Sequence, residues 1–185
     1  MFRTAIMGML SVLFLVSCGA APTSTTQNTA QQGCHFTITI PTGWAIVQKQ
    51  QNPSSGFLCA MTIALTAYET SQQYSQMNIQ VLSAGSTNVQ QTIQALAHNS
   101  QFSTIQLHGY NSYISKQTYY VSPPTMQPGQ TTLAPPTANA PGTETHTEYD
   151  IPTQQYLYTI ITQNIVGQNA DAGLNTLIQS FSVTS

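Results

Sequence analysis

Charged side chains are scarce in this chain of 185 residues, which has three Lys and Arg residues and five Asp and Glu residues. Charged residues make up about a quarter of a typical globular protein, but only 4% of this one. Beyond Arg3, the strong cations are Lys49 and Lys116 alone. Two separated lysines cannot neutralise the row of phosphates on which sequence-independent binding of DNA or RNA depends. Nucleic acids and anionic lipid headgroups are therefore disfavoured as partners.

The chain also has no hydrophobic run of membrane-spanning length. Its longest apolar segment, residues 5–16, has about a dozen residues, whereas a helix needs about 20 to cross the hydrocarbon layer of a bilayer. We therefore expect no permanent transmembrane helix.

Sequence patterns typical of catalysis or metal binding are missing as well. There is no Gly-x-Ser-x-Gly sequence, no glycine-rich phosphate loop and no Cys-x-x-Cys pair. Glu144, Glu148 and Asp150 lie close together, which is more typical of a solvated acidic patch or a calcium-tolerant loop edge than of a glycosidase pair with separated pKa values. No zinc-ligand spacing links the four histidines, which are His35, His98, His108 and His146. We expect no enzyme activity, no cofactor and no metal site.

What the chain does have is an export signal. Arg3 precedes the apolar segment, and Leu15-Val16-Ser17-Cys18 closes it in the manner of a bacterial lipobox. The Cys18 thiol would carry a diacylglycerol thioether, and two or three acyl chains such as palmitate hold a protein firmly at about 0.8 kcal/mol per buried CH₂. We expect residues 1–17 to be removed and the mature chain to face the periplasm or the exterior from a bacterial membrane. The alternative is an ordinary secretory peptide in which Cys18 has no special role.

The mature chain is predicted to consist of a tether and one folded domain. Residues 18–33 are rich in Ala, Pro, Thr, Ser, Gln and Asn without apolar periodicity, so we expect a flexible tether. Residues 34–185 are long enough to bury a core of their own. Within them, residues 122–142 contain six of the ten prolines and predict a mobile, partly polyproline insertion.

Two cysteines remain in the predicted domain, Cys34 and Cys59. An even number of cysteines in an exported protein favours a disulfide, because the compartment permits oxidation. Two buried free thiols are the alternative.

The apolar periodicity predicts strands and two helices. Alternation at the strand period of two predicts strands over residues 36–40, 44–47, 57–65, 78–82, 105–108, 110–121, 145–151 and 154–165. Residues 49–56 are expected to form a polar loop. Val89, Ile93 and Leu96 share a helical face after cap-type residues at 86–88, and a terminal helix from Leu174 is expected to be capped by Asn169 or Asp171. Trp44 is expected to anchor the core.

Amide and hydroxyl side chains must supply the polar surface in place of charges. Such a surface changes its charge little with pH, which fits adaptation to an acidic exterior, where ion pairs are lost as carboxylates become protonated. Compositional drift explains the same surface equally well.

Tyrosines are concentrated on the later predicted strands, where aromatic faces beside amide donors can bind sugars or other small ligands. They can equally fill the sheet. Tyr120 and Tyr149 also lie on these strands. The candidate ligand-binding residues are Tyr110, Tyr113, Tyr119, Tyr156 and Tyr158.

Three short segments resemble the PsbP/Mog1-like domains, which include lipoproteins of the actinobacterial LpqN type. They are Phe36-Thr37-Ile38-Thr39-Ile40-Pro41-Thr42-Gly43-Trp44, then Gly109-Tyr110, then Thr176-Leu177-Ile178-Gln179-Ser180-Phe181. The resemblance covers most of residues 34–185 and implies an α/β/α sandwich around an antiparallel sheet. It implies binding or accessory roles and transfers no catalytic residue. The Pro-rich segment resembles an insertion relative to that pattern.

The sequence therefore predicts an α+β domain in which helices flank an antiparallel sheet. We expect a non-enzymatic, lipid-anchored domain that docks an envelope or extracellular protein. The alternative is a surface lipoprotein that binds a small ligand or glycan through the tyrosine-rich strands.

Overall fold

The structure is a computed structural model that describes residues 27–31, 33–54, 57–68, 73–121, 135–137 and 140–184. The predicted signal, the lipobox with Cys18 and most of the predicted Pro-rich insertion lie outside the described residues. Where the chain is described, none of its helices is both long and apolar enough to cross a membrane.

Antiparallel strands dominate the described fold. Seven of them form one large sheet and three form a smaller sheet. The strands of the small sheet are β1 (Gln27–Gln31), β2 (Phe36–Ile40) and β10 (Ser182–Val183). The strands of the large sheet, in chain order, are β3 (Trp44–Ser54), β4 (Phe57–Leu65), β5 (Gln76–Ser83), β6 (Ser103–Leu107), β7 (Tyr110–Tyr120), β8 (Thr143–Pro152) and β9 (Tyr156–Ile165). Neighbouring strands follow the order β3-β4-β5-β9-β8-β7-β6 in the large sheet and β1-β2-β10 in the small one.

The predicted alternation accounts for the core. On β2, every second residue from Phe36 to Ile40 is buried. Alternate residues are also buried on β4 and β5, namely Cys59, Met61, Ile63, Met77, Ile79 and Val81. Because successive side chains on a strand point to opposite faces, these residues make one apolar layer between the two sheets and the C-terminal helix. Trp44 is buried in that layer, as predicted.

Two α-helices complete the described fold, α1 (Thr87–His98) and α2 (Asp171–Ser180), with a 3₁₀ turn at Thr66–Tyr68. The Ser86 hydroxyl caps α1 by accepting a hydrogen bond from the Val89 amide over 3.2 Å, as the sequence predicted. The predicted cap of α2 is wrong, because Ala170 occupies that position and no side chain caps the helix. Asp171 is instead the first helical residue and accepts a hydrogen bond from Asn164.

Two further predictions about β-structure need correction. Residues 49–54, expected in a polar loop, continue β3, because β3 is an edge strand whose polar side chains can face water. Gln27–Gln31, expected in the flexible tether, form β1 against β2. Backbone hydrogen bonds alone can hold such a strand, so its sequence carries no apolar signal.

The Cys34–Cys59 disulfide is present, which confirms that prediction. It links Cys34, two residues ahead of β2, to Cys59, the third residue of β4. Both cysteines are fully buried. Disulfides persist in oxidising compartments, so the bond indicates an exported protein.

The architecture confirms an α+β domain with a large antiparallel sheet and two helices. α2 contacts β2 and β9 on the core side of the sheet. The α/β/α sandwich remains a prediction.

Candidate binding cleft

The candidate site lies at one end of the large sheet, which we call the cleft end. Here β7 begins at Tyr110, β9 begins at Tyr156 and β10 ends beside them. The turn into β7 is His108–Gly109, and both residues have positive φ, at 52° and 85°. Two consecutive residues with positive φ form a tight turn that matches the twist of a β-hairpin, and glycine adopts positive φ without steric cost.

The cleft has a volume of about 440 Å³. Among the described residues that line it, none carries a charge. The lining consists of two tyrosines, two threonines, two glutamines and one valine. They are Tyr110, Thr153, Gln154, Gln155, Tyr156, Val183 and Thr184.

The turn between β8 and β9 forms one wall of the cleft. The Thr153 hydroxyl oxygen accepts a hydrogen bond from the Tyr156 amide over 2.9 Å, and the Thr153 amide donates to the Tyr156 carbonyl over 2.8 Å. The Gln155 carbonyl accepts a hydrogen bond from the Ala84 amide. With the backbone so satisfied, the side chains of Gln154 and Gln155 are exposed. Each carboxamide offers both donors and an acceptor to a ligand.

Stacked aromatic rings fix the other wall. The His35 and Tyr156 rings are nearly parallel, with centroids 4.5 Å apart. Behind them, the Tyr158 hydroxyl donates a hydrogen bond to the His35 carbonyl over 2.8 Å, and its ring packs edge-on against Phe181. Burial, together with the nearby Tyr156 and Tyr110, raises the pKa of Tyr158, so its phenol stays protonated. The wall is thus aromatic, and its buried phenol is neutral.

The five candidate tyrosines do not form one platform. Tyr110 and Tyr156 line the cleft, whereas Tyr158 lies fully buried behind it. Tyr113 and Tyr119 pair with Asp150 and Glu144, which places them on the opposite face of the sheet.

Sequence reasoning missed Gln154, Gln155, Val183 and Thr184 as lining residues. The Pro152-to-Tyr156 segment was recognisable as a turn, but no local pattern indicates that the chain's last strand ends beside it.

A second group of polar residues lies on the face opposite the core. Asp150 is only 2% exposed, so the predicted solvated acidic patch is wrong at this residue. Thr159 donates a hydrogen bond to the Asp150 carboxylate over 2.6 Å. Burial raises the pKa of Asp150 to about 6, and burial also raises the pKa of Glu148 next to it.

The third acidic residue of β8, Glu144, has different partners. Its two carboxylate oxygens contact His146 at 3.1 Å and Gln163 at 2.6 Å. Elsewhere, the His108 ring contacts the Ile178 carbonyl at 2.8 Å. Within the described part of the chain, no three His, Cys, Asp or Glu side chains are placed to share a metal ion.

Comparison with known proteins gives similarity in structure alone. No protein-family model matches the chain, and no curated protein matches it in sequence. A crystal structure from Bacteroides thetaiotaomicron has a TM-score of 0.51 at 12% identity; the match covers 83% of this chain but only 46% of that one. The solution structure of the cyanobacterial PsbP protein CyanoP, from Synechocystis sp. PCC 6803, has a TM-score of 0.47 at 10% identity, with 91% of this chain and 98% of that one covered.

At 12% identity, the likeness to the Bacteroides structure shows a shared fold and nothing about activity. This chain spans less than half the length of that structure. The domain therefore belongs to the class of α+β proteins built on a large antiparallel sheet.

Proposed function

We propose that the protein is a lipid-anchored, exported domain that binds an envelope or extracellular protein without catalysis, through the cleft at the end of its large sheet. Cys18 would hold the lipid, and the domain would present the cleft to its partner. The Cys34–Cys59 disulfide supports export.

One observation carries this proposal, the position of the cleft relative to the incoming chain. β1 runs antiparallel to β2, and Gln27 pairs with Ile40. The chain from Cys18 therefore arrives beside Ile40, at the opposite end of β2 from His35, which packs at the cleft. A domain held from that end leaves its cleft accessible to molecules beyond the membrane.

Chemical crosslinking on intact cells tests the proposal, with captured partners identified by mass spectrometry. We expect one partner to be captured by the unmodified protein and by Tyr119→Ala, which alters a tyrosine on the opposite face. Tyr110→Ala, in the cleft, is expected to lose that partner. Capture that is equal in both variants would contradict a role for the cleft.

The uncharged lining supports a second candidate, a neutral glycan or similar small ligand. Rings beside carboxamide and hydroxyl groups are the combination with which proteins hold sugars. Calorimetric titration of the purified domain with neutral oligosaccharides would detect binding that Gln154→Ala and Gln155→Ala weaken and Gln117→Ala does not. A defined ligand in this assay, without any protein captured on cells, would place this candidate first.

We also propose that the domain is PsbP-like, with helices on both faces of the sheet. The support is the order of the three short segments, from Phe36 to Trp44, at Gly109-Tyr110 and from Thr176 to Phe181. An experimental structure with α1 and α2 on the same face of the sheet would contradict it.

A further inference from the structure

We propose that the end of the large sheet opposite the cleft rests on the bilayer surface when the protein is anchored. We call it the tether end; it is formed by the start of β3 at Trp44, the end of β7 at Tyr120, the start of β8 at Thr143 and the end of β9 at Ile165. This inference rests on the proposed anchor at Cys18 and adds the surface through which the domain meets the membrane.

Only a short length of chain separates the anchor from the fold. Eight residues, 19–26, separate Cys18 from Gln27. A chain extends by at most about 3.6 Å per residue, so these residues span less than about 30 Å, and a flexible chain of that length averages about 16 Å. Since Gln27 pairs with Ile40 and the turn at 41–43 leads into Trp44, the tether end is the end of the large sheet nearest to the anchor.

Exposed apolar side chains are concentrated toward the tether end. Among the described residues, five large hydrophobic side chains are exposed: Ile46, Val47, Phe57, Tyr68 and Tyr119. All but Phe57 lie toward the tether end. Val47 is 42% exposed on an edge strand at a break in its register with β4, and Tyr119 is 42% exposed one residue before β7 ends.

Tyr68 belongs to the same surface. It ends the 3₁₀ turn that follows β4, and the first residue of that turn, Thr66, donates hydrogen bonds from its amide and its hydroxyl to the Gly43 carbonyl, over 2.8 and 2.9 Å. Tyr68 therefore lies beside the turn at 41–43, which joins β2 of the small sheet to β3 of the large sheet. Tyrosine is enriched where proteins meet the membrane interface, because its ring is apolar and its hydroxyl can remain hydrated.

The charge of the chain indicates which bilayer this surface fits. Lys49 and Lys116 are the cations beyond Arg3, and two cations give little attraction to anionic headgroups. Contact with the bilayer must come from apolar and tyrosine side chains. Each such contact is weak by itself, but together they can orient a domain that the lipid anchor already holds at the surface. The expected partner is the interfacial zone of a zwitterionic bilayer.

Energy transfer from tryptophan to a dansyl-labelled phospholipid tests the orientation, because Trp44 at the tether end is the single tryptophan of the chain. The lipidated full chain is placed in phosphatidylcholine vesicles that contain the dansyl lipid. The comparison protein is the double variant Trp44→Phe with Phe57→Trp, which moves the donor to the cleft end. The two ends of a ten-residue strand such as β9 lie about 30 Å apart at roughly 3.3 Å per residue. We expect several-fold stronger transfer from position 44 than from position 57.

A second pair of variants tests the contact itself. Val47→Gln with Tyr68→Gln is expected to lower transfer from Trp44, and Phe57→Gln, at the cleft end, is expected to leave it unchanged. Equal transfer from positions 44 and 57, or unchanged transfer in the Val47 and Tyr68 variant, overturns the inference.

The anchor and the orientation can fail separately. Labelled palmitate shows whether cells lipidate Cys18. If they do not, the proposed anchor falls, and coupling of a maleimide phospholipid to the Cys18 thiol still measures the orientation, since Cys34 and Cys59 are oxidised.

Discussion

The indole of Trp44 lies against the backbone of Gly173, where no side chain intervenes. A methyl group placed at position 173 would overlap the Trp44 indole nitrogen. Trp44 starts β3, and Gly173 lies in the first turn of α2. The contact therefore sets how closely the C-terminal helix approaches the start of the edge strand.

Gly173→Ala is expected to destabilise the domain by about 1–2 kcal/mol, because overpacking costs about 1–3 kcal/mol and the better helix propensity of alanine recovers part of it. Urea denaturation measures the difference. Adding Trp44→Phe should recover much of the loss, since the smaller ring leaves room for the methyl group.

Gly85→Ala is the matched control. Its added methyl group would meet the Ser83 hydroxyl oxygen at an ordinary contact distance of 3.8 Å. If the variants at 85 and 173 have the same stability, the contact between Trp44 and Gly173 does not constrain the helix.

Removal of the disulfide is expected to cost about 3.5 kcal/mol, the chain-entropy value for a closed loop of this size. The bond joins residues 25 positions apart, and both sulfurs are buried in the core. The thermal midpoint should fall on reduction in the unmodified protein and should not respond to reductant in the variant Cys34→Ala with Cys59→Ala. A midpoint that does not change on reduction of the native bond would argue against this contribution.

The domain is expected to gain stability as the pH falls from 7.5 to 4.5. Burial raises the folded-state pKa of Asp150 to about 6 from an ordinary value of 3.8. The folded state therefore binds more protons than the unfolded state between about pH 4 and pH 6. The stability that protonation of Asp150 contributes is fully present below about pH 4 and is lost as the pH rises through 6. At 1.36 kcal/mol per pKa unit, the effect is at most about 3 kcal/mol. The raised pKa of Glu148 acts in the same direction.

Asp150→Asn tests which carboxyl group is responsible. Its amide oxygen can still accept the Thr159 hydrogen bond, and we expect greater stability at pH 7.5 with a flatter pH dependence. A thermal midpoint that falls steeply between pH 6 and pH 3 would contradict both this account and adaptation to an acidic exterior.

The sequence predicted those features that depend on local chemistry. The alternation from Phe36 to Ile40 correctly indicated a half-buried strand, and Ser86 was correctly predicted to precede a helix. The cysteine count indicated the disulfide. For the strand and the helix cap, the sequence pattern and its physical cause lie within a few residues. The disulfide joins distant residues, but the predicted domain has no third cysteine with which either could pair.

Features that depend on pairing between distant segments could not be read in the same way. β1 has no apolar pattern because backbone hydrogen bonds to β2 hold it. The cleft joins Tyr110, Gln154 and Thr184, which meet because β7 pairs with β8 and β10 pairs with β2. Alternation along β7 places Tyr113 and Tyr119 on the face opposite to Tyr110. Which of these faces Tyr156 shares depends on strand register, which residue type does not give.

Incorporation of labelled palmitate into the protein expressed in bacterial cells tests the central claim most directly, with Cys18→Ser as the comparison. The account predicts that the unmodified protein carries the label and fractionates with membranes, and that the Cys18→Ser variant carries no label and leaves the membrane fraction. Absence of label from the unmodified protein, or unchanged fractionation of the variant, would contradict it.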